Sequence, residues 1–216
     1  MPGSCGRSRS FSLDAARGGY EYGRTRREAL SRGLAGAAAV AGFVLLGPRA
    51  RPAGAAPSRA QDQKIFNFAL LLEYLQAAFY SEGVDHGRLR GEVREFAEIV
   101  SEHERAHVVY LQKALGSQAR KRPRFTFGDA TRDQQKFLAA AVLLENTGVA
   151  AYNGQAANLT KKALAAAAEI VSVEGRHAAW VSDLAGKDPA PRAADPGATA
   201  DEVISTLRGT GFVRAT

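Results

Sequence analysis

Two segments of the chain present a carboxylate and an imidazole in the same arrangement. Residues 104–116 read ERAHVVYLQKALG and residues 174–186 read EGRHAAWVSDLAG, each a Glu-x-x-His with an aromatic residue three positions after the histidine. Residues three apart on an α-helix lie one turn along and about 60° around the axis. Glu104 with His107, and Glu174 with His177, are therefore each offered to the same neighbour. A second pair of segments also matches: LLLEYLQAAFY (70–80) aligns with VLLENTGVAAY (142–152), setting Glu73 and Tyr80 opposite Glu145 and Tyr152. All four glutamates stand among apolar residues, and four anions facing a core would be strongly destabilising without cations. Two divalent ions would match four carboxylates, and an oxygen-rich set with two imidazoles suits iron or manganese. The sequence thus predicts two divalent metal ions held by Glu73, Glu104, His107, Glu145, Glu174 and His177. Glu104 and Glu174 would bridge the ions and be the residues nearest the chemistry. Tyr80 and Tyr152, two turns beyond Glu73 and Glu145, are candidates to hydrogen-bond the ligands or to cap the core.

Other polar residues carry weaker signals. Gln76 shares the inward stripe of Ala69, Glu73 and Tyr80, and its counterpart in the repeat is Gly148. An amide there would hydrogen-bond a ligand or a bound oxygen species, or be a satisfied interior amide, and a mid-helix glycine would leave a small cavity beside the metals or allow close helix packing. Glu102 and His103 read as surface, and the basic run RKRPR (120–124) as a solvated connection. Cys5 and Met1 are the sole sulfur-containing residues, so residues 57–216 offer no thiolate, disulfide or Cys-ligated cluster.

The elements that must position these groups are helical. Asp62 is a candidate cap for a first helix ending near Ser81, with Gly83 as its stop. A second helix is expected from about Gly91 to Leu115. The capping-box pattern Thr131-x-x-Gln134 opens a third, running to about Asn158. Thr160 opens a fourth that ends before Gly186, and Thr199-x-x-Glu202 opens a short fifth after a Pro-rich stretch. Helices one and two form a hairpin, and helices three and four repeat it. The fourteen residues 117–130 can reach about 46 Å, longer than the roughly 38 Å of a 25-residue helix. The fold class predicted is all-α, a four-helix bundle with one long crossover between helices 2 and 3, plus a short C-terminal helix.

Residues 1–56 read differently. They hold nine Arg/Lys and three Asp/Glu, whereas residues 57–216 hold twenty and nineteen. The basicity of the whole chain, net +7, therefore sits in the leader, which removes the main support for nucleic-acid binding. Arg26-Arg27, an apolar run from Gly33 to Gly47 and the small-residue motif Ala53-Gly54-Ala55 come in the order of an export signal. The run is too short and too mildly apolar for a stable span. The twin arginine resembles a Tat signal, implying the Tat machinery as a partner. A periplasmic or extracellular location follows, or an anchored one if the signal is retained. The expected organisation is a leader (1–56) and a bundle domain with its C-terminal appendage (57–216).

The segments NFALLLEYLQAAFY, EHERAHVVYLQKALG, ENTGVAAYNG and SVEGRHAAWVSDLAG resemble the exported ferritin-like domain family that includes desiccation-related proteins. The resemblance covers about residues 60–186 and implies a di-iron or di-manganese bundle. Two functions of different kinds follow. One is redox chemistry on a small oxidant, dioxygen or peroxide. The other is a non-catalytic protein of stress or desiccation tolerance in which metal only stabilises the fold. A homo-oligomer is compatible with either.

Overall fold

The structure is a computed structural model that describes residues 56–86 and 88–213. The twin-arginine segment, the apolar run and the small-residue motif lie outside the described residues. Five α-helices are found among the described residues: α1 (Arg59–Asp85), α2 (Gly91–Leu115), α3 (Gln134–Gln155), α4 (Lys161–Leu184) and α5 (Ala200–Thr210). None of them is long and apolar enough to cross a membrane. The described residues form the all-α bundle that the periodicity predicts.

Helix ends follow competition between nearby capping groups. Helix α1 begins three residues before the expected cap, because Ser58 takes that role and accepts from the Gln61 N–H. Asp62 is thereby freed for a tertiary task. Its carboxylate accepts from both the backbone N–H and the hydroxyl of Thr160, at 2.9 and 2.6 Å, tying α1 to the start of α4. Thr160 still caps α4 as the sequence predicts. Gly83 does not stop α1, which runs on to Asp85. A Cβ there would stand 2.6 Å from Cε2 of Phe137, so this glycine admits an aromatic ring from α3. Helix α3 is capped by Asp133 rather than Thr131, whose hydroxyl is buried and donates to Glu82 at 2.7 Å. A short 3₁₀ turn, Ala156–Asn158, carries α3's path to the expected end. The Thr199–Glu202 capping box opens α5.

Helix directions can be read from cross-bundle bonds. Tyr80 on α1 meets Glu145 on α3, while Tyr152 meets Glu73, so position rises along one helix as it falls along the other and the two are antiparallel. With α1–α2 and α3–α4 as hairpins, α3 runs parallel to α2, which requires the long crossover. The connection runs along α1: Asn67 bonds Gln118 and Arg120, Tyr74 bonds Arg120, and Glu82 bonds Thr131. At Phe125 it pairs with Val213 beyond α5, which packs Phe212 against Phe127 and Phe79.

The apolar interior forms two clusters. One surrounds Phe79, Phe96, Phe137 and Val181, the other Leu70, Leu111, Tyr152 and Ile170. Each is built from both hairpins. Along the helices, Glu73, Gln76, Glu104, His107, Glu145, Glu174 and His177 fall between members of the two clusters.

Candidate metal centre

Glu73 on α1, Glu104 and His107 on α2, Glu145 on α3, and Glu174 and His177 on α4 converge in mid-bundle. Their exposures run from 0 % for Glu104, Glu145 and Glu174 to 9 % for His107. Each helix supplies its residues from the inward stripe set by the 3.6-residue period, and the Glu-x-x-His spacing puts carboxylate and ring on one face.

Their atoms form two four-residue groups, Glu73–Glu104–His107–Glu174 and Glu104–Glu145–Glu174–His177. Within each group the ligand atoms lie within 4.8 Å of one another. Glu104 and Glu174 belong to both. Nδ1 of His107 lies 3.3 Å from Glu73, 3.6 Å from Glu104 and 3.1 Å from Glu174. Nδ1 of His177 lies 3.2 Å from Glu104, 3.4 Å from Glu145 and 3.9 Å from Glu174. None of these contacts has hydrogen-bond geometry: Glu73 Oε2, both Glu104 oxygens, Glu145 Oε2, Glu174 Oε1 and both Nδ1 atoms have no hydrogen-bond partner. Buried polar atoms are nearly always partnered, and here the unpartnered ones all face one another.

The outward oxygens are bonded. Tyr152 donates to Glu73 Oε1 at 2.6 Å and Tyr80 to Glu145 Oε1 at 2.5 Å. Gln76 donates to the same Glu145 oxygen at 3.1 Å and reaches Glu174 Oε2 at 3.5 Å. The two tyrosines that the repeat singles out therefore bond these buried carboxylates across the bundle, each to the glutamate of the opposite hairpin. Gly148 does not leave a cavity beside Gln76. Its missing Cβ would lie 2.9 Å from Glu174 Oε2 and 3.5 Å from Gln76 Oε1, so the room it provides is filled by those two side chains.

Ionisation reflects this crowding. Burial, then the neighbouring Glu73 carboxylate, hold Glu104 well above the usual carboxylate range. Burial, then Glu104 and Glu73, do the same to Glu174. Burial also pushes Glu73 up, but His107 outweighs it and leaves Glu73 lowered. Burial alone would lower His107, yet the Glu104, Glu174 and Glu73 carboxylates raise it to about 12. Burial and the adjacent carboxylates Glu145 and Glu73 keep the Tyr80 and Tyr152 hydroxyls protonated well above the usual phenol range.

One polar neighbour departs from the sequence reading. His103, expected at the surface away from the site, is exposed but places Nδ1 2.9 Å from Nε2 of His177, with the two rings stacked 5.2 Å apart. The only sequence signal was its position in EHERAH, one turn before His107. Its partner lies on α4, and the register between α2 and α4 is not written in either helix. Glu102 is exposed as expected.

A four-helix bundle whose centre holds four buried carboxylates and two imidazoles with unpartnered inward atoms is compatible with a metal-binding site. Residues 61–187 match the family described as ferritin-like domain; the chain belongs to that family. The matched span agrees within a residue at each end with the segment on which the sequence resemblance rests. No curated protein matches the chain.

Proposed function

We propose that the protein holds a dinuclear iron or manganese centre and carries out redox chemistry on dioxygen or peroxide. The observation that supports this most directly is the pair of four-residue groups sharing Glu104 and Glu174, with their inward atoms unpartnered. Glu104 and Glu174 would bridge, Glu73 with His107 would complete one position, and Glu145 with His177 the other. Two divalent ions would neutralise four carboxylates that are buried away from bulk solvent. Bound iron or manganese would give electrons in the reduction of dioxygen or peroxide and accept them in the oxidation of peroxide.

The remaining residues act on the ligands. Tyr80 and Tyr152 hold the outer oxygens of Glu145 and Glu73, which fixes the direction of each carboxylate. Gln76 spans Glu145 and Glu174 and links the two hairpins at the site. The two apolar clusters exclude bulk water from both ends of the bundle centre, which strengthens every charge interaction inside it.

A second reading has its own observation. The space beside Gly148 is filled by Gln76 and Glu174, which narrows access for any oxidant. That favours a metal-stabilised, non-catalytic protein of stress or desiccation tolerance. Export through the twin-arginine leader is proposed with both readings, on the order of charge, apolar run and small residues in 1–56.

Metal analysis of the protein purified from its native host, paired with a peroxide-consumption assay, separates these outcomes. Two iron or manganese ions per chain with peroxide turnover are expected. Glu104→Ala should lose metal and turnover together. Two ions without reaction toward dioxygen or peroxide under any reductant would leave the stabilising role. A chain that binds no transition metal refutes both.

A further inference from the structure

Resting on the two-ion reading above, we propose that the two metal positions are unequal. His103 is a positioning residue for His177, and the Glu145–His177 position fills first and holds its ion more tightly than the Glu73–His107 position.

The argument begins with the imidazole. For His177 to offer Nδ1 to an ion, its proton must reside on Nε2. That nitrogen lies 2.9 Å from Nδ1 of His103, which is placed to accept. The bond fixes the tautomer and the ring rotation that coordination needs, and makes the ligand nitrogen more basic. Among the described residues no corresponding bond is made to Nε2 of His107. The His107 side chain is also more exposed than that of His177, 11 % against 4 %.

The carboxylates repeat the asymmetry. Glu145 Oε1 accepts from both Tyr80 and Gln76, whereas Glu73 Oε1 accepts from Tyr152 alone. Gln76 reaches Glu174 as well. A site whose ligands are already held loses less side-chain freedom when the ion arrives.

The difference lies where the internal repeat breaks. Aligning Glu104 with Glu174 sets His103 opposite Val173, and aligning Glu73 with Glu145 sets Gln76 opposite Gly148. Both departures place their polar member against the Glu145–His177 position. Two matched half-sites have become a fixed one and a looser one.

Calorimetric titration of the chelator-stripped whole chain with manganese(II) tests this. Two binding steps of different affinity are expected. His103→Val, which installs the residue found at the repeat position, should weaken the tighter step by about 10- to 100-fold while the weaker step stays in place. His103→Gln keeps an acceptor and should recover most of that loss, which a merely structural role for His103 would not produce. His107→Ala should remove the weaker step and keep the tighter one, with circular dichroism verifying the fold of each variant. Two steps of equal affinity, indifference to His103→Val, equal weakening by Val and Gln, or loss of the tighter step in His107→Ala would each overturn the inequality. Wild-type protein binding fewer than two ions would overturn the dinuclear reading itself, and the inequality with it.

Discussion

On the proposed two-metal reading, removing the metal should invert how stability depends on pH. Among the described residues, seven buried side-chain atoms of the site have no hydrogen-bond partner. An unpaired buried polar group costs about 1–3 kcal/mol, so these atoms, on six side chains, are a heavy liability beside the roughly 5–15 kcal/mol by which domains are typically stable. Protons are the only substitute the stripped site has for cations. Glu104 and Glu174 are held well above 4.5. From pH 4.5 upward the folded chain therefore binds more protons at these groups than the unfolded chain, and stability falls as pH rises. His107, raised from 6.5 to about 12, contributes stability that is fully present below pH 6.5 and is lost as pH climbs toward 12. Glu73 is lowered from 4.5, so its contribution is present above that value and lost below it. The stripped protein should be most stable near pH 5. Above that it should lose stability with each pH unit, by at most about 1.4 kcal/mol per unit for each carboxyl that stays protonated in the folded chain, with His107 adding to the loss above pH 6.5. The loaded protein should gain stability over the same range, because metal binding requires the protons to leave. Thermal unfolding followed by circular dichroism from pH 5 to pH 8, with and without chelator, measures both slopes. A stripped protein whose Tm rises with pH, or one indistinguishable from the loaded protein, would refute the account.

Two further outcomes are expected. Tyr80→Phe and Tyr152→Phe each remove a hydroxyl bonded to a ligand carboxylate, at 2.5 and 2.6 Å, and should cost about 1.5–3 kcal/mol in urea unfolding of the loaded protein. Tyr152→Phe should be the larger because Glu73 Oε1 has no second donor, and neither variant should change the metal count. Lysine at both Arg26 and Arg27 should keep the precursor in the cytoplasm on cell fractionation; unchanged export would refute the Tat reading.

What the sequence made legible was whatever repeats at the helical period. The four glutamates, two histidines and two tyrosines are visible because each recurs at a matched place in the two hairpins. Burial of a charge in an apolar run already demands a partner. Parallel helices two and three could be foreseen because fourteen linker residues reach farther than the helix they must pass. What could not be read depends on contacts between helices. Ser58 and Asp62 were both fit to cap α1, as were Thr131 and Asp133 for α3. In each case the residue not used as the cap is held elsewhere, Asp62 by Thr160 and Thr131 by Glu82. Gly83 carries the signal of a helix end, yet Phe137, more than fifty positions away, decides that it lies inside the helix.

Gln76 and Gly148 show why the breaks in the repeat carry more information than its matches. Had both hairpins kept an amide at this position, two such side chains would compete for the space that Gln76 now fills alone. Had both kept glycine, Glu145 Oε1 would lose one of its two donors and Glu174 Oε2 its contact with Gln76. Even a methyl group at 148 would press on Glu174 at 2.9 Å, closer than a carbon and an oxygen approach without strain. The large side chain on α1 and the absent one on α3 therefore complement each other in one space. A duplicated hairpin supplies a symmetric frame of carboxylates and imidazoles. The unmatched residues around that frame then make one half of the site different from the other.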